Sequence, residues 1–208
     1  MRGENASWLS QEDACRMAPL LGPSIRGALF AADDAQVDNR QLSLALVRAF
    51  IGAGGVLREQ CDVLSLDVQS GKVMGVDTAN GYAAADKLVI AAGAWTSSIA
   101  GLDDGILPPV RPAKGQMTAM APPKGVTMPS SLIWGEEVVY LVPRQETLLI
   151  GATVEDVGFD TSVSQNAMEE LIARAAKLIP SLSSWRIVES WAGLRPRTPD
   201  DSPIIGAT

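Results

Sequence analysis

The chain has 208 residues, 47% hydrophobic and 20% charged, enough to bury a substantial core in one large domain or two small ones. Its formal charge of -7, with no block of Lys or Arg, argues against nucleic acid and anionic membrane as partners. It contains no histidine, which excludes Ser-His-Asp and Cys-His catalysis, imidazole acid–base work and most zinc sites. Cys15 and Cys61 stand far apart outside any C-x-x-C pair, so a thiol–disulfide motif and a metal knuckle are excluded, and both are expected as buried or half-buried thiols. No apolar run reaches membrane length, and "MRGENASWLSQEDA" lacks the basic-then-apolar order of a signal peptide; a soluble, cytoplasmic protein without a metal site is expected.

In chain order, Ser10-Gln11-Glu12-Asp13 predicts a helix start, a capping hydroxyl with an acid three residues on, and the helix should end before Pro19. A second helix is predicted with Asn39 as cap and Leu42, Leu46, Ala49, Phe50 and Ala53 on one face. The "IGAGG" that follows invites a dinucleotide-loop interpretation. That loop needs a strand before its glycines and a helix after them. Here the helix precedes Gly52 and the strand-like "VLRE" follows Gly55, so a glycine stop to the helix is expected.

From Cys61 the pattern has period two. "DVLSLDV", "KVMGVDT" and "YAAADK" are separated by Ser70-Gly71 and Asn80-Gly81, which predicts a small antiparallel meander. Lys87 to Ala92 is then an apolar strand of the kind buried on both faces in a parallel sheet, followed by Gly93 and a short helical stretch. "LPPVRPAKG" is a proline-rich crossing between domains. Strands are predicted at "QMTAM", "SLIWG", "VVYLVP" and "LLIGATV", with "RQET" as a hairpin turn. Met168, Leu171, Ile172, Ala175, Leu178 and Ile179 then form the stripe of a helix closed by Pro180, and "WRIVESWAGL" is a last strand leading to Arg195. This order predicts α+β segments of two interleaved domains.

Four stretches, "KLVIAAGAWTSSI", "VRPAKGQM", "VYLVPRQETLLIGATVEDVGFD" and "SWAGLRPRTPDDSPIIG", together with the preceding meander, resemble the FAD-dependent D-amino acid oxidase superfamily, and within it the glycine oxidase branch linked to thiamine thiazole synthesis. The resemblance runs over nearly the whole chain. It implies an incomplete FAD-binding domain, a parallel strand plus the antiparallel meander, at 40–105 and 190–208. An antiparallel-sheet substrate domain flanked by helices is implied at 1–39 and 106–189. It implies a fragment without the N-terminal GxGxxG unit and the C-terminal loop and helix of the family, in which FAD would be held weakly or not at all.

By the same resemblance, the backbone of Val63 meets the flavin adenine, and Ala92, Gly93 and Trp95 form a wall beside the dinucleotide. Tyr140 turns its hydroxyl to the substrate, Val154 closes a small side-chain pocket, and Arg195 grips the substrate carboxylate. No residue of the chain is assigned a catalytic role. The implied reaction is oxidative deamination of glycine or small D-amino acids by hydride transfer to flavin, giving imine or keto acid, ammonia and hydrogen peroxide; this asks for no imidazole. A small amino acid is the implied partner, with room for a homo-oligomer, and the isolated chain is expected to be inactive. Two other interpretations stay open: a non-catalytic remnant or interaction domain without flavin, and a sarcosine oxidase or D-amino acid dehydrogenase relative.

A guanidinium fork meets a carboxylate with two parallel charge-assisted hydrogen bonds, and Pro196 biases Arg195 toward extended backbone. The competing partner for Arg195 is internal, Asp200 or Asp201. Glu155, Asp156 and Asp160 are expected as a solvated acidic loop. Trp134, Trp185 and Trp191 are expected in the core, and Met117 and Met120 in packing.

Overall fold

The computed structural model describes residues 5–101, 109–129, 133–135 and 139–207. Parts of the expected proline-rich crossing and of "SLIWG" and "VVYLVP" lie outside those residues. The architecture is α+β, with antiparallel sheets and few helices. The chain divides into two compact units. The first comprises Met1–Val37, Lys114–Glu155 and Asp160–Gly193, and the second Asp38–Ala113, Asp156–Phe159 and Leu194–Thr208. Among the described residues no helix is long and apolar enough to cross a membrane.

The first unit begins with an antiparallel pair, β1 (Ala6–Ser10) and β2 (Gly27–Ala31), which the sequence pattern does not announce. Between them lies α1 (Gln11–Met17), capped as expected: Ser10 Oγ accepts from the Asp13 amide at 3.1 Å, and the helix stops before Pro19. A five-stranded sheet follows in the order β10-β6-β9-β8-β7, from β6 (Arg111–Ala121), β7 (Ile133–Trp134), β8 (Tyr140–Pro143), β9 (Leu148–Gly151) and β10 (Arg186–Arg197). "RQET" makes the β8–β9 turn, with the Arg144 amide donating to the Thr147 carbonyl at 2.8 Å.

Alternation along β6, β8 and β9 sends one set of side chains to a core face. There Met120, Leu141, Leu148 and Ile150 pack with Met168, Leu171 and Ala175 of α3 (Gln165–Leu178) and with Ile179, Leu182 and Trp185. Pro180 closes the helix by opening a 3-10 turn, Pro180–Ser184. The expected core placement holds for Trp185 and Met120, both buried. It fails for Trp134, which is 62% exposed because β7 is the sheet's edge and Trp134 points away from the α3 side.

In the second unit, α2 (Asn39–Gly52) is capped by Asp38 rather than Asn39, since the Asp38 carboxylate accepts from the Gln41 amide at 3.1 Å. The glycine stop is real. Gly54 adopts a φ of +89, and the Gly55 amide returns to the Phe50 carbonyl at 2.9 Å, a Schellman-type end. The meander forms as predicted from β3 (Val63–Gln69), β4 (Lys72–Thr78) and β5 (Gly81–Ala84). Its first turn has Ser70 and Gly71 both at positive φ, the geometry that joins twisted strands in two residues.

Two expectations fail in this unit. Residues 87–92 form no strand; a parallel strand is held by neighbours on its flanks, and no described strand lies beside them. A parallel bridge joins Ser65 to Ala100 further along the chain. The apolar face of α2 is also left open, for no residue of that helix is buried.

Candidate functional site

Tyr140 sits in a row that crosses four strands of the first unit. Met117 on β6 opposes Gly151 on β9, Gly151 opposes Tyr140 on β8, and Tyr140 opposes Trp134 on β7. Directly opposed residues share a face of a sheet, here the face away from α3. Gly151 has no side chain, so the tyrosine ring lies over its Cα and reaches past it: a Cβ built there would stand 2.4 Å from Tyr140 Cζ. The hydroxyl donates to Met117 Sδ at 3.6 Å, and the Trp134 ring flanks Tyr140 at a centroid distance of 5.0 Å. Thioether sulfur is a weak acceptor. The half-buried hydroxyl is thus held in place by a partner it can exchange for a stronger one. Met117, expected only as packing, aims this hydroxyl.

Beyond β9 the chain enters a buried polar network that the sequence did not announce. Lys114, Gln116 and Thr118 alternate along β6 and are 3%, 0% and 0% exposed. Lys114 Nζ donates to Asp160 at 2.7 Å and lies 3.9 Å from Glu155. Gln116 donates to Glu155 at 2.8 Å and accepts from the Ser164 amide at 2.8 Å; Ser164 caps α3. Thr153 donates to the same Glu155 oxygen. Arg111 holds Asp156 at 2.9 Å. The expected solvated loop holds for Asp156 and Asp160, which are exposed, while Glu155 is half-buried; Asp156 meets Arg111, and the buried Lys114 draws Glu155 and Asp160 to itself. The available signal was the period-two polar set in "AKGQMTAM", polar residues where an interior strand is otherwise apolar.

Burial pushes the Glu155 carboxyl up, but hydrogen bonds from Thr153 and Gln116 and the Lys114 charge outweigh it and hold the carboxyl below its ordinary value. Asp160 is lowered to about 2, first by the Lys114 hydrogen bond and then by the amide and hydroxyl of Ser162. A depressed carboxylate contributes stability that is complete above its ordinary value near 3.8 and is lost as pH falls through about 2. Between pH 4 and pH 2 the melting temperature of the chain should therefore fall more steeply than that of Lys114→Met, measured by thermal unfolding across that window. Parallel slopes would remove the Lys114–Asp160 pair from any role in holding the segment.

Val154 follows β9 on the same segment, 62% exposed. It lines a cleft of about 520 Å³ with Ala152, Thr153, Ser164, Asn166 and Arg174. Tyr140 is not among the walls of that cleft.

The four residues expected beside the dinucleotide, Val63, Ala92, Gly93 and Trp95, fall in the second unit. Val63 opens β3, half exposed at 39%. The Leu66 amide donates to the Ala100 carbonyl at 2.8 Å and the Ala100 amide to the Leu64 carbonyl at 3.2 Å, which ties β3 to the chain leaving the 3-10 turn Gly93–Ser98. Gly93 adopts a φ of +56, and a Cβ built on it meets nothing within 4 Å. Only glycine sits there without strain, and its carbonyl accepts from the Thr96 hydroxyl at 2.8 Å. Ala92 is half-buried, and exposed Trp95 stacks on Phe159 at 5.8 Å. Small residues, the open space beside Gly93 and an aromatic face fit the flank of a flat dinucleotide. Neither cysteine takes part; both are half-buried.

Arg195 is exposed, within β10, which continues through Pro196 to Arg197. An edge strand tolerates proline because one of its flanks needs no ladder bond. Of the two internal acids considered for Arg195, Asp201 receives a forked pair from Arg197, Nε at 2.7 Å and Nη2 at 3.0 Å. That fork raises the Arg197 guanidinium and lowers the Asp201 carboxyl. Asp200 accepts from the Ser202 amide at 3.1 Å and from the Thr198 hydroxyl at 3.3 Å, closing the turn after the strand.

Comparison with known proteins places this geometry. The family model described as DAO, FAD dependent oxidoreductase, matches residues 1–208. A bifunctional protein ThiO/ThiG of Synechocystis sp. is 37% identical over 206 residues, covering 97% of this chain and 30% of that protein. Glycine oxidase of Pseudomonas putida is 37% identical over 190 residues, covering 90% of this chain and 51% of that protein. The crystal structure of glycine oxidase from Geobacillus kaustophilus superposes with a TM-score of 0.91 at 34% identity, over 99% of this chain and 55% of that one. The chain thus spans about half, or less, of the length of the relatives it matches.

Proposed function

We propose, from the premise that this chain belongs to the FAD dependent oxidoreductase family and is of glycine oxidase type, that it forms part of an enzyme oxidising glycine or a small D-amino acid. The observation that carries this is the half-buried Tyr140 hydroxyl, aimed over Gly151 and held by a thioether it can trade for a carboxylate oxygen. Arg195 takes the substrate carboxylate through its fork. Val154 restricts the side chain at the substrate α-carbon, which favours glycine and alanine over larger amino acids. Val63, Ala92, Gly93 and Trp95 hold the adenine side of FAD, with space beside Gly93 left open by its missing side chain.

When bound, FAD supplies the acceptor for the electron pair of the α-carbon–hydrogen bond and returns that pair to oxygen. The sum is amino acid, oxygen and water giving keto acid, ammonia and hydrogen peroxide. The protein's part is to orient the amine and fix its carboxylate, which matches a chain that has no histidine to offer. Affinity for a pyrophosphate in such folds rests on a strand, a glycine turn and the N-terminus of a helix. The one glycine-rich stretch here ends a helix instead.

The 208-residue chain by itself should accordingly purify colourless and release no peroxide with glycine, sarcosine or D-alanine. Joined in one polypeptide to the unmatched portion of the Geobacillus kaustophilus enzyme, it should carry stoichiometric yellow FAD and release peroxide with glycine. Stoichiometric FAD without turnover on any of the three amines would overturn the amine-oxidising assignment. A colourless fusion would overturn the assignment of Val63, Ala92, Gly93 and Trp95.

A further inference from the structure

β6 and β9 pair from Met120 and Leu148 to Met117 and Gly151, and past Gly151 the backbone meets β6 again at a bridge between Lys114 and Glu155. The chain then runs on and returns at Ser164, the cap of α3. The side chain of Gln116, fully buried, holds both ends of that excursion. Its Nε2 donates to Glu155 at 2.8 Å and its Oε1 accepts from the Ser164 amide at 2.8 Å. One end needs a donor and the other an acceptor, and a carboxamide supplies both from a single group. An ionised carboxylate offers only acceptors, and a leucine offers neither. The same two ends line the cleft of about 520 Å³, with Thr153, Val154 and Glu155 from one and Ser164, Ala167 and Arg174 from the other.

We infer that Gln116 is a specificity-determining position for the amino acid substrate: by bracing Glu155 against the start of α3 it sets where Val154 stands, and so how large a side chain the site admits. The inference rests on the proposed role of Val154 beside the substrate α-carbon. Backbone bonds secure one end of the excursion without the side chain. The Thr153 amide donates to the Gln116 carbonyl at 3.2 Å and the Glu155 amide to the Lys114 carbonyl at 2.9 Å. The tie from β6 to the Ser164 amide, however, runs through the Gln116 carboxamide. Thr118 supplies the contrast on the same strand. It is equally buried, donates to the Glu189 carbonyl at 3.0 Å and accepts from the Ser190 hydroxyl at 3.0 Å, and it is not among the walls of the cleft. Losing Thr118 removes buried hydrogen bonds as losing Gln116 does, but leaves the brace in place.

The test has two readouts. In the 208-residue chain, Gln116→Leu should speed amide hydrogen exchange at Ser164 and at 153–155 by about tenfold or more, with circular dichroism matching the parent. In the FAD-loaded fusion it should raise the ratio of kcat/KM for D-valine to that for glycine by about tenfold, the discrimination that a methylene carries in an apolar pocket. Gln116→Glu keeps the acceptor for Ser164 but sets a second acid against Glu155, and should relax the ratio as well. Adding Glu155→Gln returns a donor to that pair and should restore the ratio. This pair of variants decides the matter if Gln116→Leu fails to fold. Thr118→Val should lower the melting temperature and leave the ratio unchanged. Unchanged exchange, a ratio unmoved while glycine is still oxidised, a ratio moved equally by Thr118→Val, or no recovery in the double variant overturns the inference alone. A parent fusion that oxidises no amine overturns the proposed reaction and this inference with it.

Discussion

Arg195→Leu in the FAD-loaded fusion should raise KM for glycine by about a hundredfold or more while leaving the flavin absorbance spectrum unchanged. Charge-assisted hydrogen bonds contribute about 1.5–3 kcal/mol each. Losing a fork of two removes about 3 kcal/mol even at the low end, which is roughly a hundredfold in affinity. The fork binds the carboxylate equally before and during the reaction, so the loss should appear mainly in KM and little in kcat. Arg195→Lys should recover part of the affinity, because a point charge replaces a planar fork. The contrast is Arg197→Leu. That guanidinium is committed to Asp201 at the exposed end of β10, and removing it should leave KM near its starting value. An unchanged KM in Arg195→Leu, or a shift matched by Arg197→Leu, would return Arg195 to a purely structural role.

Gly151→Ala should separate stability from function at the Tyr140 row. The three nearest atoms a new Cβ would meet all belong to the tyrosine, at 2.4 to 2.6 Å, and are the far end of its ring. Overpacking costs about 1–3 kcal/mol where the neighbours are fixed; a ring free to swing toward solvent should bring the cost to the low end of that range. The displaced hydroxyl, however, leaves Met117 and its place over the sheet. In the FAD-loaded fusion, kcat/KM for glycine should fall by about tenfold or more while the melting temperature moves by a few degrees at most, roughly what 1 kcal/mol shifts in a domain of this size. Tyr140→Ala should cause a similar loss, and the double variant should be no worse than either, the non-additivity expected of residues acting as a unit. Trp134 fluorescence should shift in both single variants, since its ring flanks Tyr140. Full activity in Gly151→Ala would remove the Tyr140 hydroxyl from the substrate site.

Much of the secondary structure could be read from local rules. Ser10 and Ser164 cap helices because a hydroxyl finds an amide three residues on. Ser70-Gly71 joins two strands because both residues accept positive φ. The α3 stripe buries as its spacing requires, with Met168, Leu171 and Ala175 in the core. Each of these depends on residues within a few positions of one another. The misses share the opposite property. The pattern of 87–92 is that of a buried parallel strand, yet a ladder needs a second strand and no described one lies alongside. The α2 stripe is equally plain, and it buries nothing.

The candidate site divides along the same line. The proposal of Arg195 and Tyr140 rests on four motifs that in their order resemble a family, not on rules of local structure. Gly151 was not legible in the sequence, because its role comes from register: only the pairing of β8 with β9 sets it under the Tyr140 ring. Lys114 was quoted within a motif without its partners, since Asp160 lies 46 positions away and is brought to it by the fold at 2.7 Å. By itself, then, the amino-acid order determined helix ends, turns, the period of each strand and the chemistry ruled out by having no imidazole. Tertiary structure alone decided which tyrosine hydroxyl is aimed, which carboxylates a buried lysine holds and which apolar helix face stays bare, because each depends on distances between residues remote in sequence.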